Sequence, residues 1–334
     1  MNKIIITFPD GNSREYEIGI SALDIAKSIS NRLAEETLAI EINGIVKDIS
    51  TKINNNSVVK FLTFDDANGK HVYWHSSSHL MAHAVQSIFP EAKFGVGPAI
   101  DAGFYYDIDI NTKLTDDDLR LIENKMLELA KESKQFVRQE LSKDDAINFF
   151  SQKGDQYKLE ILSELDGTAE TISLYHEGEF TDLCTGPHLP DAAKIKFVKL
   201  LTVSGSYWRG DEKNKQLQRI YGISFPKKKM LEDYITFLEE AKKRDHRKLG
   251  KQLDLFSMHE EAGAGLIYWH PKGARIRLLI EDFWRQAHLE NGYDLLYSPH
   301  MGKSWLWEKS GHLSFYKESM YAEMKVDEQD YFIK

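Results

Sequence analysis

The segment 72–89 constrains the fold of this chain more than any other, because it contains no glycine or proline and ends immediately before a proline. This pattern predicts a helix. His75 and His79 lie four residues apart and share one face of that helix, and His83 follows one turn later. The opposite flank is predicted to be an apolar stripe of Leu80, Ala84 and Ile88.

A second pair with the same spacing occurs at Cys184 and His188, in a segment whose Gly186 and Pro187 favour a turn. If the two pairs converge, they form a polar cleft. Their spacing alone leaves three interpretations open. The residues bind zinc, which takes cysteine and histidine ligands tetrahedrally; they are polar residues of a helix surface without a chemical role; or they line a metal-free catalytic or binding cleft.

Composition narrows the class of protein. With 334 residues and 42% hydrophobic content, the chain is long enough for two or three domains with buried cores. Its one cysteine excludes an internal disulfide, and the sequence has neither a signal-peptide core nor a run of about 18 apolar residues, so we expect a cytosolic protein without a membrane span. The net charge of −9 argues against indiscriminate binding of nucleic acid. A basic stretch at 227–251 can still contact phosphates or form a solvated connecting helix.

Residues 4–64 carry the pattern of a small ubiquitin-like β-grasp domain. Two hairpins are predicted, one from strands at 4–8 and 13–18 and one from strands at 38–42 and 45–49, followed by a last strand at 58–64. Ser21 with Asp24 predicts a capping box for a helix that ends at Leu33. The polar stretch 65–70 is predicted to be a domain boundary.

The rest of the chain mixes helices with short strands. Helices are predicted at 115–139, 146–153, 158–165 and 274–290, with a basic helix between 227 and 251. Residues 95–98 form a glycine-rich turn before an aromatic strand at 103–107. That turn lacks the strand-to-helix frame of a phosphate-binding loop.

Taken in order, these segments resemble bacterial-type threonyl-tRNA synthetases over the whole chain. The resemblance is carried by His75/His79 with Cys184/His188, Gly97-Pro98 with the strand 103–107, Tyr-Trp-Arg-Gly-Asp at 207–211, Leu-Gln-Arg-Ile-Tyr-Gly at 217–222 and Arg-Asp-His-Arg-Lys at 244–248. The segments 306–312 and 316–321 resemble the stretch after the first class II signature, with Pro299 as the motif 1 proline.

The resemblance implies an α+β multidomain fold. It places a ubiquitin-like β-grasp (TGS) domain at 1–63, an α+β editing domain at 64–226, a basic linker helix at 227–250 and the start of a class II synthetase antiparallel-sheet domain at 251–334. The family's zinc ligands and the motif 2 and motif 3 arginines that hold ATP are expected beyond Lys334. We therefore do not expect this chain by itself to form threonyl adenylate.

The implied function is that of a threonine–tRNA ligase with hydrolytic editing of mischarged Ser-tRNA(Thr). Threonine and serine differ by one methyl group, from which a binding pocket extracts only about 1–3 kcal/mol, so a second site must remove serine. The full-length enzyme is expected to use ATP with Mg²⁺ and one zinc, to bind threonine and tRNA(Thr), and to form a homodimer. Two alternatives stay open: a free-standing Ser-tRNA deacylase that acts in trans, and a non-catalytic RNA-binding protein built on the TGS domain.

Residue by residue, the resemblance implies one editing site. Its catalytic positions are His75, His79, Lys158, Asp182, Cys184 and His188, and Tyr106 contacts the substrate. His75 and Lys158 are expected to activate water or transfer a proton, Asp182 to accept hydrogen bonds from the serine, and Cys184 and His188 to position water and ribose.

Two further expectations concern the chemistry around this site. A Cys–His nucleophile stays open. No metal is expected in the cleft, although the editing domain of alanyl-tRNA synthetases uses a similar motif with zinc. His83 is expected to be a structural residue of the helix or to contact the catalytic side chains without contacting the substrate. Trp307 and His312 are expected to shape the core or a dimer surface.

Overall fold

The computed structural model describes residues 3–165 and 171–333. The chain divides into two compact units, Met1–Glu239 and Glu240–Lys334. Within the described ranges, none of the helices combines the length and the apolar character that crossing a bilayer requires.

The N-terminal region is a mixed sheet with a helix on one face. Its elements are β1 Lys3–Thr7, β2 Ser13–Glu17, β3 Ile20–Ser21, α1 Ala22–Ile29, α2 Asn31–Glu36, β4 Ala39–Ile42, β5 Ile45–Lys47, β6 Lys52–Ile53 and β7 Ser57–Leu62. The sheet order is β2-β1-β7-β4-β5, with β1 and β7 parallel. Ile25 of α1 packs on Ile6, Ile40 and Val59 of the sheet, and all four are fully buried. This is the β-grasp arrangement that the sequence predicted.

The helix predicted to run from Ser21 to Leu33 is interrupted at Ser30. Ser21 caps α1 as expected, since its hydroxyl accepts from the Asp24 backbone N–H at 3.1 Å. Ser30 is extended, and its own N–H still bonds to the Ala26 carbonyl while its hydroxyl accepts from the Leu33 N–H at 3.0 Å. One serine therefore ends α1 and begins α2.

The middle region wraps two sheets around one long helix. Its elements are α3 Ala67–Ile88, β8 Lys93–Phe94, β9 Ala99–Ile100, β10 Gly103–Asp109, α4 Asp116–Lys131, β11 Phe136–Leu141, α5 Lys143–Lys153, α6 Gln156–Glu164, β12 Ile172–Glu177, β13 Phe180–Leu183, β14 Phe197–Tyr207 and β15 Gln216–Phe225. One sheet has the order β14-β15-β10-β8, with β9 on β10, and the other has the order β11-β12-β13. Helix α3 contacts both sheets and α4.

Helix α3 begins at Ala67, five residues before the predicted start, with Asp66 at its N-cap. The polar stretch 65–70 therefore opens a helix and is not an extended linker. Both long faces of α3 are buried: Leu80 and Ala84 lie in the core, and so do Ser76, Ser77 and His79. The buried serine hydroxyls satisfy their hydrogen-bonding capacity by donating to backbone carbonyls, as Ser77 does to the Tyr73 carbonyl at 2.9 Å.

The predicted helix 115–139 was wrong in its last third. Thr115 begins α4 with a capping box to Asp118, but α4 ends at Lys131. Ser133 then adopts a left-handed φ of 54°. Residues Phe136–Leu141 pair with β12 as an antiparallel strand. Sheet pairing thus overrides the helical spacing of that segment.

The basic segment forms two helices and not the single linker helix predicted at 227–250. They are α7 Lys228–Lys243 and α8 His246–Gln252. Asp245 separates them, because its carboxylate accepts from the Arg247 N–H at 2.8 Å and caps α8.

The remaining elements are β16 Phe256–Met258, β17 Ile267–Trp269, α9 Pro271–Glu290, β18 Met301–Lys303, α10 Trp305–Lys309, α11 His312–Phe315, β19 Met324–Val326 and β20 Gln329–Ile333. Strands β18-β20-β19 form an antiparallel sheet, as expected for this region. Trp307 is buried against Phe332, with ring centroids 5.7 Å apart, whereas His312 is exposed beside Ser310.

Candidate functional site

The two predicted pairs converge around the cysteine sulfur. Strand β13 ends at Leu183, and the following loop, residues 184–188, lies against α3. Cys184 Sγ is 3.4 Å from His75 Nε2 and 3.3 Å from His188 Nε2. The potential ligand atoms of His75, His79, Cys184 and His188 lie within 4.8 Å of one another. This donor set is of the kind that zinc accepts.

The orientation of the His188 ring follows from its neighbours. Its ring stacks on Phe136, with centroids 5.2 Å apart. Its Nδ1 lies 3.1 Å from Ser76 Oγ, and that hydroxyl donates its one proton to the Val72 carbonyl at 2.8 Å. Ser76 Oγ therefore accepts from His188 Nδ1–H, and the lone pair of Nε2 faces the Cys184 thiol.

A buried ion pair lies beside these imidazoles. Lys158 Nζ is 2.6 Å from Asp182 Oδ1, 2.7 Å from the Gly95 carbonyl and 3.3 Å from the Tyr106 hydroxyl. The Tyr106 hydroxyl donates a short hydrogen bond to Asp182 Oδ2. Lys158 is 2% exposed and Asp182 3% exposed, so each charge depends on the other for compensation.

The carboxylate of Asp182 keeps unused acceptor capacity. Among the described residues, its Oδ1 makes the ion pair with Lys158 but no contact with the geometry of a hydrogen bond. His79 Nε2 lies 3.5 Å from the other oxygen, Oδ2. This arrangement points one imidazole at the carboxylate, while the imidazoles of His75 and His188 point at the sulfur.

Burial sets the protonation states of the cluster. It lowers the pKa of His75 to about 3 and that of His79 to about 4, and it lowers the pKa of His188 well below its ordinary value. It raises the pKa of the Cys184 thiol to about 12. Near neutral pH the three imidazoles and the thiol are uncharged. A protonated thiol disfavours the Cys–His nucleophile that the sequence left open.

The pKa of Asp182 shifts in the direction opposite to the one that burial favours. Burial raises its pKa, but the nearby Lys158 ammonium and the hydrogen bond from Tyr106 outweigh burial, and the pKa of Asp182 falls below its ordinary value. The site therefore holds one internal ion pair among neutral donors and acceptors.

Five residues of the cluster line a cavity of about 470 Å³. They are His75, His79, Lys158, Asp182 and Cys184. The walls of the cavity include the apolar side chains of Val96, Pro98, Ile161, Leu165 and Leu183. A cavity with an apolar wall and a few converging polar groups is the usual form of a small-molecule site.

Gly97 makes room for Tyr106 in this cavity. A Cβ atom at Gly97 would lie 2.1 Å from the Tyr106 ring. The Gly97 carbonyl also accepts from the Ser78 hydroxyl of α3 at 2.5 Å, which fixes the backbone in place. The ring can therefore approach Asp182 only because position 97 has no side chain.

We expect Gly97→Ala to lower the free energy of unfolding by about 1–3 kcal/mol, because the added methyl overpacks a ring in the core. Gly205→Ala is the matched control, since its Cβ meets the flexible end of Gln216. Urea denaturation followed by circular dichroism measures both. Equal unfolding midpoints for the two variants would contradict the prediction.

All seven residues that the sequence singled out lie in this one cluster: His75, His79, Tyr106, Lys158, Asp182, Cys184 and His188. Their chemical roles stay predictions. His83 lies one turn further along α3, outside the group of potential metal ligands, and its ring contacts Phe180 and hydrogen-bonds to the buried Glu177.

Sequence reasoning missed two residues that hold the site together. Ser76 orients His188, and its only signal was its place between the two histidines of α3. Gly95 contributes a backbone carbonyl to Lys158, and the glycine-rich turn was noted but not connected to the site.

Two parts of the chain match known domain families. Residues 4–63 match the TGS domain. Residues 172–221, which include Asp182, Cys184 and His188, match the threonyl and alanyl tRNA synthetase second additional domain. Together with the fold, these matches identify a TGS domain and a second additional domain of the kind named for threonyl and alanyl tRNA synthetases, and they confirm the predicted multidomain fold.

The particular resemblance is to threonine–tRNA ligases. The chain is 50% identical over 331 residues to the enzyme of Caldanaerobacter subterraneus subsp. tengcongensis, covering 99% of this chain and 51% of the relative. It is 51% identical over 329 residues to that of Porphyromonas gingivalis, covering 98% and 50%. It is 51% identical over 331 residues to that of Carboxydothermus hydrogenoformans, covering 99% and 52%. The resemblance predicted from the sequence is confirmed.

The chain spans about half the length of the curated relatives it matches. Among solved structures, the RNA binding domain of threonyl-tRNA synthetase from Cryptosporidium parvum Iowa II is 34% identical, with a TM-score of 0.26, over 27% of this chain and 22% of that one. A score this low does not compare the overall folds.

Proposed function

We propose that the site hydrolyses the ester between serine and the terminal adenosine of mischarged tRNA(Thr). The observation that carries this proposal is the buried Lys158–Asp182 pair among uncharged imidazoles at the end of a cavity with an apolar wall. An aminoacyl ester carries a small polar amino acid on a large, partly apolar nucleoside. The polar end of the cavity suits the first and its apolar wall suits the second.

Lys158 supplies fixed positive charge. Its Nζ is ion-paired with Asp182 and donates hydrogen bonds to the Gly95 carbonyl and the Tyr106 hydroxyl, so the charge is held in place. Negative charge develops on the carbonyl oxygen of an ester as water attacks it. A positioned cation in a water-poor site stabilises that charge. In this proposal Lys158 acts electrostatically and does not transfer a proton.

His75 orients the attacking water. It is the half-buried imidazole of the cluster, and it lines the cavity while its Nε2 faces the thiol. A neutral imidazole with a low pKa is a weak proton acceptor but a competent hydrogen-bond acceptor. Because an aminoacyl ester is already reactive, an oriented water and charge stabilisation suffice. The water oxygen bonds to the acyl carbon, the bond from that carbon to the ribose oxygen breaks, and one water proton passes to the ribose oxygen while the other leaves the new carboxyl group to solvent. Cys184 lines the part of the cavity that receives water and ribose, and His188 behind it positions the thiol. The spare Oδ1 of Asp182 accepts from the serine.

The proposed hydrolysis needs no metal. The His75, His79, Cys184 and His188 donors would also fit a zinc ion, which would supply a polarised water at the same place. The direction of His79 toward Asp182 favours the metal-free arrangement, because its Nε2 faces the Asp182 carboxylate at 3.5 Å and not the cysteine sulfur.

We place this activity within a threonine–tRNA ligase of which the chain is one part. The whole enzyme would join threonine to tRNA(Thr) with ATP and Mg²⁺, hold one zinc elsewhere, form a homodimer and work in the cytoplasm. The domain limits at 63, 226 and 250 belong to the same proposal. The chain alone is expected to show no charging of tRNA with threonine.

The purified chain is expected to hydrolyse Ser-tRNA(Thr) and to spare Thr-tRNA(Thr). His75→Ala should slow the reaction by about 10²-fold, the size of effect expected when the attacking water is no longer oriented. Release of labelled serine, in the presence of a chelator, is the measurement. His288→Ala, on exposed α9, is the matched control.

Each outcome separates the candidates. Loss of activity after chelation, restored by zinc, would replace the metal-free mechanism with a zinc site. Hydrolysis at the same rate by His75→Ala and His288→Ala would refute the assignment of the site. Binding of tRNA without any hydrolysis would favour the non-catalytic RNA-binding protein.

A further inference from the structure

Asp48 of the β-grasp region reaches the loop that carries the proposed catalytic residues. Asp48 Oδ1 accepts from the backbone N–H of His188 at 2.7 Å. Its Oδ2 accepts from the Tyr175 hydroxyl, also at 2.7 Å. The two partners lie 127 and 140 residues away in the sequence. One carboxylate therefore joins the N-terminal sheet to the strand β12 and to the 184–188 loop.

The base of this contact is rigid. Asp48 opens a tight turn closed by the Thr51 N–H at 3.0 Å, and the next residue, Ile49, is 1% exposed in the β-grasp core. The Ile49 carbonyl also accepts from the Leu23 N–H of α1 at 2.9 Å. A side chain on such a turn has a fixed position relative to the β-grasp domain, and its hydrogen bonds therefore hold the 184–188 loop in a fixed position as well.

The 184–188 loop, on the other side of this contact, is also tightly packed. A Cβ atom at Gly186 would lie 2.1 Å from the Tyr175 hydroxyl. Arg138 donates to the Thr185 carbonyl at 2.9 Å, and the Gly186 N–H points at Cys184 Sγ from 3.2 Å. The Tyr175 ring packs edge-on against the His188 imidazole, with centroids 4.4 Å apart. Asp48 thus holds the backbone of His188 directly, and Tyr175, which hydrogen-bonds to Asp48, holds the His188 ring.

We infer that Asp48 is a positioning residue of the hydrolytic site: the β-grasp domain acts as a structural part of that site by fixing the 184–188 loop. This inference rests on the proposed function for its effect on catalysis but not for its effect on the loop. Asp48 touches no reacting atom. It acts through the backbone of His188, and hence on the direction in which Nε2 and the Cys184 thiol face.

Asp48 and Tyr175 also line a second cleft. A cavity of about 410 Å³ lies between the β-grasp hairpin and the loop, lined among others by Val46, Asp48, Arg138, Tyr175 and Pro187. Water that enters this cleft would compete for the Asp48 carboxylate. A buried or half-buried hydrogen bond to a charged group contributes more than a neutral one, so the charge of Asp48 matters as well as its shape.

Three variants of the 334-residue chain remove different parts of the contact between Asp48 and its two partners. Asp48→Ala removes both hydrogen bonds. Asp48→Asn keeps an acceptor for the His188 N–H but offers no second carboxylate oxygen to the Tyr175 hydroxyl. Tyr175→Phe removes that hydroxyl and keeps the ring against His188. Glu15→Gln, which breaks a pair with Lys3 on the surface of the same sheet, is the matched control for loss of charge.

The kcat for hydrolysis of Ser-tRNA(Thr) is expected to fall by about 10- to 100-fold in Asp48→Ala, the size of effect that a small misplacement of catalytic groups produces. Asp48→Asn and Tyr175→Phe should fall less, and Asp48→Glu should recover part of the loss. KM should change less than kcat, because most residues that line the cavity lie outside the 184–188 loop. All rates are compared well below the melting temperature of each variant, so that loss of folded protein does not contribute.

The single cysteine gives a readout that does not depend on activity. Alkylation of Cys184 by iodoacetamide should be about tenfold faster in Asp48→Ala than in Glu15→Gln, because a released loop opens locally and exposes the thiol. Equal alkylation rates in the two variants would overturn the inference, whatever the hydrolysis assay gives. Faster alkylation in a chain that hydrolyses no Ser-tRNA would uphold the anchoring of the loop and reject the proposed function instead.

Discussion

Replacing Lys158 with methionine is expected to abolish detectable hydrolysis of Ser-tRNA(Thr) and to lower the free energy of unfolding by about 3–5 kcal/mol, the cost of leaving one partner of a buried ion pair uncompensated. The pair is 2–3% exposed and has no solvent to replace the lost charge. The Tyr106 hydroxyl and His79 remain near Asp182 but carry no positive charge at neutral pH. Both the stability and the activity therefore depend on the same ammonium.

The double variant Lys158→Met, Asp182→Leu separates the two effects. Removing both charges eliminates the unpaired carboxylate, so we expect unfolding in urea to return to within about 1–2 kcal/mol of the unmodified chain. Hydrolysis should stay absent. A double variant that is active would show that the ion pair serves the fold and not the reaction. A single Lys158→Met variant with unchanged stability would show that the pair contributes nothing measurable.

Acidification is expected to destabilise the chain well above the pH at which carboxylates titrate. In the folded chain, burial lowers the pKa of His75 to about 3 and of His79 to about 4. In the unfolded chain, histidine takes up a proton near pH 6.5, its ordinary pKa. Below that pH the unfolded state binds more protons than the folded state, so stability is fully present above about pH 6.5 and is lost as the pH falls toward about 4.

Each such imidazole removes about 1.4 kcal/mol per pH unit within this window. Urea denaturation at pH 7, 6 and 5, in the presence of a chelator, measures the slope. His79→Gln should flatten it, because glutamine fills similar space and does not titrate. Substitution of the exposed His300 by glutamine is the control for loss of an imidazole outside the buried cluster. If His79→Gln and the unmodified chain lose stability in parallel, the buried imidazoles are not the cause.

Much of the β-grasp fold could be predicted because its signals are local. The Asn43-Gly44 turn has the positive φ angles, 50° and 84°, that such a dipeptide favours between two strands. The seven site residues could be named because the resemblance supplied their order along the chain. Their spacing on α3 and in the 184–188 loop was visible without any structure.

What could not be predicted depends on distant contacts. Residues 136–139 were assigned to the helix that begins at Thr115 but belong to β11, because β12 offers a partner only after the chain has folded. Ser30 and Asp245 break predicted helices through hydrogen bonds of single side chains. The Asp48 carboxylate gave no sequence signal, since its partner His188 lies 140 residues away.

The two glycines that meet tyrosine rings have a consequence for sequence variation among relatives. Gly97 faces the Tyr106 ring, and Gly186 faces the Tyr175 hydroxyl. At each glycine an added Cβ atom would overlap the tyrosine. Each tyrosine in turn bonds to an aspartate, Asp182 or Asp48. A relative with a larger residue at either glycine position should therefore carry a smaller residue in place of the matching tyrosine. The aspartate is expected to stay, because Asp182 still pairs with Lys158 and Asp48 still accepts from the His188 N–H. Each glycine and its tyrosine are expected to change together or not at all.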